Sequence, residues 1–304
     1  MKQLFLILFS CILLTVNAQD WNIPKVGDGG WEVEQEFTLN KKRRNILLIS
    51  EASAYTVALV GLNQLWYADY PKSSFHFIND NEEWLQMDKM GHMSASYYTG
   101  VAGIKAYEWA GFSRKNAIWY GGMTGSIFLT VIEVLDGTSE QWGASSGDLI
   151  ANTTGSLLAI GQALKWNEQR IQLKYSYIPS NMAAKNPEQL GSNHLERALK
   201  DYNGQTYWLT LNLKSLLQIE NPNFPSWLSL ALGYGADEMV NPYHEEGDAE
   251  IYRQFLMSFD VDLNKIKTKN KTLNSVLHTF GFLKFPTPAI QYRNGNIFFH
   301  PIYY

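Results

Sequence analysis

The sequence predicts a mainly α fold, a helical bundle of about four helices followed by a smaller α+β C-terminal region containing hairpins. Three observations predict it. Helix-length apolar segments recur between Asn45 and Trp166, each closed by a breaker. These segments are rich in small residues, including Gly121-x-x-x-Gly125, a spacing that lets helices approach closely. Beyond Arg170 the texture turns alternating and turn-rich, with Asn203-Gly204 and Asn294-Gly295 as the strongest hairpin signals.

The elements follow in order. Residues 1–18 read as a secretory signal peptide: Lys2 supplies a positive end, Leu4 to Val16 is apolar, and Val16-Asn17-Ala18 precedes a cut at Gln19. The single cysteine, Cys11, falls inside it, so the mature chain has no thiol. A lipoprotein cut within Leu8-Phe9-Ser10-Cys11 is the competing reading. Residues 19–40 look irregular, broken by Pro24 and Gly27-Asp28-Gly29-Gly30. Lys41-Lys42-Arg43-Arg44 then precedes a first apolar helix over 45–67. It reaches the roughly 20 residues that span a bilayer, although Glu51 and Asn63 interrupt it. Residues 71–87 form a polar, aromatic connection.

A second helix covers 88–110. Ser113 is placed to N-cap a third over 115–135, the most apolar of the set, which Asp136-Gly137 stops. A fourth covers 147–166. In the second region, 171–177 reads as a strand and 194–200 as a short helix. Phe255, Met257, Phe259 and Val261 alternate with Ser258, Asp260 and Asp262, the pattern of a strand with its apolar side buried. Residues 208–217 and 227–234 fit helical and strand periods equally. The expected organisation is a signal over 1–18, a helical domain over 19–170 and a mixed region over 171–304.

A net charge of -4 with no basic field argues against nucleic acid as a partner. The 10 Trp and 17 Tyr suit a wet–dry boundary, whether of a membrane or of a cleft, and they suit ordinary cores too. No phosphate-binding loop or dinucleotide fingerprint occurs, and no cofactor is expected.

The chemistry-bearing feature is a set of ionisable residues inside apolar helices: Asp88-Lys89-x-x-His92, then Glu133-x-x-Asp136-Gly137, then Asp148-x-x-x-Asn152-x-x-Gly155. Such groups are costly to bury unless they pair or bind something. Asp88 and His92 share one helical face, as do Asp148 and Asn152, so three helices can aim polar groups at one point. Each residue also has a structural explanation. Asp88 suits a helix N-terminus, Ser145-x-x-Asp148 fits a capping box, Glu133 can be solvated at a helix end, and His92 can be a satisfied core histidine. As a site, His92 with a carboxylate makes a general base and its orienter. A metal site is not expected, because the repeated Glu-x-x-His pattern of helical metal centres is missing.

On these residues, with Trp142-Gly143-x-Ser145, the segment from Trp84 to Trp166 resembles the YfiM-like family of predicted periplasmic or envelope proteins. The motif order is similar to that of the VanZ-like membrane family. The resemblance covers roughly a quarter to a third of the chain, a domain-sized share. It implies a helical, membrane-associated module of the bacterial envelope and implies no reaction. The resulting expectation is an exported, membrane-associated envelope protein, a non-enzymatic structural or lipid- or amphiphile-binding component with envelope lipid as its partner. Asp88, Lys89, His92, Glu133, Asp136, Asp148 and Asn152 are its binding residues. The competing reading is an envelope lipid or glycan hydrolase, with His92 and Glu133 as acid and base and Asp148 as orienter or metal ligand.

Overall fold

The computed structural model describes residues 39–64, 70–244 and 250–303; the expected signal peptide and Cys11 lie outside them. Four long helices appear within 41–166. Helix α1 (Lys41–Leu62) is capped by Asn40, whose side chain accepts from the Arg43 amide. Helix α2 (Met87–Trp109) is the central one. A turn over Arg114–Asn116, capped by Ser113, runs through a π-helical turn over Ala117–Gly121 into α3 (Gly122–Gly137). Helix α4 (Ser146–Trp166) starts at the N-cap Ser145. Helices α2, α3 and α4 pack closely because glycines line their crossings. A Cβ on Gly125 would lie 2.6 Å from the Ser96 carbonyl oxygen, and one on Gly155 would overlap the Met93 carbonyl. Tyr97, Ile104, Ile118 and Ile160 fill the seam among them. Helix α1 is peripheral: Ala58 and Leu62 pack on Phe128, Leu129 and Ile132, while Leu48, Ile49, Val57 and Val60 stay exposed.

The mainly α, helical-bundle expectation is overturned. About 49% of the chain is helix and about 22% strand, which makes the fold mixed α+β. A two-stranded parallel ladder, β1 (Phe77–Ile78) with β2 (Ala144–Ser145), sits beside the helices. The larger element is a six-stranded antiparallel sheet of β3 (Ile171–Tyr177), β4 (Gln205–Asn212), β5 (Leu228–Asp237), β6 (Tyr252–Val261), β7 (Thr287–Arg293) and β8 (Asn296–Tyr303), in sequential order. The sequence under-reads this sheet because β4 and β5 carry apolar residues at spacings that also fit a helix.

Asn294-Gly295 makes the β7–β8 turn, with φ of 45° and 77°, as a primed hairpin turn requires. Asn203-Gly204 does not make a hairpin. It ends the long β3–β4 connection, where the Asn203 side chain binds both backbone groups of Met239. That connection carries α5 (His194–Lys200). Helix α6 (Lys271–Thr279) lies between β6 and β7.

The sheet is strongly curled. Lys174 on β3 reaches Asp260 on β6 at 2.6 Å, and the Tyr303 hydroxyl on β8 lies 3.0 Å from Thr206 Oγ1 on β4. Three strand spacings on a flat sheet are about 14 Å, so the sheet must fold toward itself. Its concave side is mixed: Gln172, Thr210, Gln254, Ser258 and Asp260 are buried there beside an apolar cluster of Trp208, Ala231, Leu256, Ala289 and Tyr303. Its convex side over β6–β8 is apolar and uncovered. Phe255, Met257 and Phe259 are 51, 49 and 55% exposed, and Phe299 is 68% exposed. The alternation read from the sequence is present on β6 with the opposite sense, because the polar side packs inward, held by Lys174 and Gln172 from across the sheet.

Candidate functional site

The site forms where the N-terminal ends of α2 and α4 meet the C-terminal end of α3. Three consecutive residues before α2 take left-handed backbone angles, Trp84 (48°), Leu85 (48°) and Gln86 (65°). Such conformations cost about 1–3 kcal/mol each and persist only where the surroundings impose them. Here Trp84 is buried, its amide donates to the Pro242 carbonyl, and the Tyr234 hydroxyl donates to the Leu85 carbonyl. The turn thus fixes how Asp88 and His92 enter the interior. The β1–β2 ladder does the same for Asp80 and Ser145. Ser145 Oγ donates to Asp80 Oδ1 (2.6 Å) while accepting from the Asp148 amide (3.1 Å).

Six of the seven residues singled out in the sequence converge. His92 is 5% exposed. Its Nδ1 faces Asn152 Oδ1 at 3.0 Å and Glu133 Oε1 at 4.0 Å, and its Nε2 faces Asp88 Oδ2 at 3.7 Å. Lys89 Nζ makes ion pairs with Asp80 (2.8 Å) and Asp148 (3.3 Å). Glu133 Oε2 accepts from the Ser145 amide at 3.0 Å. Asp136 is buried at the end of α3, where its carbonyl accepts from Ser139.

Two participants escaped the sequence reading. Asp80 lay inside the polar run Asn79-Asp80-Asn81. Tyr202, whose hydroxyl donates to Asp88 Oδ1 at 2.6 Å, is more than a hundred residues from its partner. The adjacent Asn203-Gly204 turn was the one local signal there.

Electrostatics follow from crowding in a dry interior. Burial opposes charge on His92, but the carboxylates of Asp148, Asp88 and Glu133 outweigh it and push the imidazole up to about 9. Asp148 is pushed up to about 7, chiefly by burial, with Asp88 and Glu133 adding to the shift and His92 and Lys89 opposing it. For Lys89, burial is overcome by Asp148, Asp80 and Asp88, and its pKa rises. Asp88, His92 and Asp148 each offer an atom, and these atoms all lie within 4.8 Å of one another.

A family model described as a predicted periplasmic lipoprotein (DUF2279) matches residues 75–162, the stretch that carries every site residue except Tyr202. No curated protein and no solved structure matches the chain. The matched family is an uncharacterised periplasmic one, and the chain is a protein of the bacterial cell envelope.

Proposed function

We propose that the protein is a non-enzymatic, membrane-associated envelope component. It seats against lipid through the convex face of its sheet, and its buried polar centre locks helices and sheet into one body. The observation that carries this reading is the uncovered apolar face of the sheet. Phe255, Met257, Phe259, Ile290, Ile297 and Phe299 point outward, while Lys174, Gln254, Ser258 and Asp260 are enclosed together with Trp208 and Leu256. An apolar outer face is what sheets present to hydrocarbon. In water, a patch of this kind is an aggregation liability. Strand β8 has no strand on its outer side among the described residues. An open edge deep in hydrocarbon leaves backbone groups unsatisfied, which favours a seat in the bilayer surface over a closed barrel.

The helical half supports the same reading. Lys41–Leu62 and Arg114–Gly137 are both long and apolar enough to cross a membrane, but the second is mostly buried as a core helix. It is therefore the largely uncovered Lys41–Leu62, led by Lys41, Lys42, Arg43 and Arg44, that favours lipid. Between them lies a groove of about 730 Å³ lined by Leu48, Tyr55, Trp119, Tyr120 and Ile127, together with Arg44 and Glu51. That size and mostly apolar lining suit an amphiphile. The YfiM-like and VanZ-like motif order is consistent with an envelope membrane module. Against the hydrolase reading stands the enclosure of His92, whose Nδ1 is already taken by Asn152.

Flotation with vesicles of phosphatidylethanolamine and phosphatidylglycerol tests the seat. The mature protein is expected to float, and Phe255→Ser with Phe299→Ser to cut the floated fraction severalfold with unchanged circular dichroism. A mature protein that is monomeric in buffer and stays at the bottom of the gradient overturns it.

A further inference from the structure

We propose that Asp88, His92 and Asp148 bind one divalent transition-metal ion of the zinc or manganese class. The inference concerns the buried centre and stands or falls independently of the membrane seat. One nitrogen and two carboxylate oxygens within 4.8 Å of one another form a set that an ion with bonds of about 2.0–2.2 Å draws in by small side-chain rotations. An imidazole with two carboxylates suits zinc, manganese or iron rather than the all-oxygen preference of calcium or magnesium.

The atoms not needed for coordination are already engaged. Asp88 uses Oδ1 to accept from Tyr202, leaving Oδ2 toward His92. His92 Nδ1 faces Asn152 Oδ1, so when an ion displaces a ring proton the lone pair falls on Nε2, the nitrogen that faces Asp88. Partners of this kind are what fixes ligand orientation in metal centres.

One observation points to a missing occupant: Asp148 is 4% exposed, yet its Oδ1 has no partner in hydrogen-bond geometry. Buried polar groups left in that state are costly and rare. Lys89 faces Asp148 only at 3.3 Å and is drawn more closely to Asp80. The carboxylates of Asp80, Asp88, Glu133 and Asp148 outnumber the local cations, so the enclosed field favours another positive charge. The Asp88 side chain is 25% exposed, which gives an ion a way in. The repeated Glu-x-x-His pattern is unnecessary here, because the third ligand comes from α4.

The test uses the full-length mature protein, purified in detergent without chelator, stripped, then incubated separately with Zn²⁺ and Mn²⁺ and desalted. Elemental analysis is expected to find about one ion of at least one of the two per chain, with a raised melting temperature. His92→Gln with Asp148→Asn should abolish retention. Tyr202→Phe, which keeps the side-chain bulk, should weaken affinity about 10–100-fold. A folded wild-type protein that retains neither ion overturns the proposal. So does retention unchanged in the folded double variant. Should the double variant not fold, the wild-type stoichiometry and Tyr202→Phe decide: unchanged affinity in Tyr202→Phe, or no bound ion, overturns the site.

Discussion

The Tyr202 hydroxyl donates to Asp88 Oδ1 across 2.6 Å, joining the segment that leads into β4 to the first turn of α2. This one bond ties the sheet half to the charged centre of the helical half. A hydrogen bond to a charged partner contributes about 1.5–3 kcal/mol. Tyr202→Phe is therefore expected to destabilise by about that amount in chemical denaturation of metal-free protein, and Tyr202→Ala by more, since Tyr202 also packs against Trp84.

The glycines of α4 give opposed predictions. Gly155→Ala drives a methyl into the Met93 carbonyl and the Tyr97 amide of α2, backbone atoms that cannot step aside. A loss of about 2 kcal/mol or more is expected, in the range of overpacking. At Gly161 nothing lies within 4 Å, so Gly161→Ala should stabilise by about 0.5–1 kcal/mol through helix propensity. Equal effects at both positions in thermal melts would contradict the close α2–α4 crossing.

Lys174 and Asp260 form a fully enclosed pair at 2.6 Å on the concave side of the sheet. Removing one partner strands a charge, so Lys174→Met should cost about 3–5 kcal/mol. Lys284, 3.9 Å from Asp260 on the other side, is the residue that limits the loss. A cost below 1 kcal/mol would mean that the sheet does not curl as described.

Lys284 also sets a pH dependence. Burial, together with Lys174, lowers its pKa to about 8 against the opposing pull of Asp260, below the usual 10.5. Between those values the unfolded chain binds more protons than the folded one, so stability from this group rises with pH from about 8 to about 10. Below pH 8 both states are protonated and the burial penalty is present in full. Guanidinium unfolding at pH 8, 9 and 10 should give this rising contribution as the difference between wild type and Lys284→Met. A falling or flat difference would exclude the lowered value.

The site was more legible in the sequence than the fold. Spacings of four in Asp88–His92 and Asp148–Asn152 define shared helical faces whatever the tertiary arrangement, and Gly125 and Gly155 mark where helices must touch. Asp80 and Tyr202 were invisible, since a polar run and a turn give no sign of distant partners. On β6, period-two alternation identifies a strand and leaves open which side faces protein. Here a cross-sheet lysine decides the matter, and its partner is three strands away. The four apolar segments were real helices, but their hydropathy drew attention from a region whose strands carry polar residues on the enclosed side.

The convex face of β6–β8 bears on how the protein reaches its place. On the proposed bilayer seat, the chain would reach the membrane through water with a row of aromatic and branched side chains outermost. Whatever shields them in transit must let go at the destination without prising apart the ladder beneath.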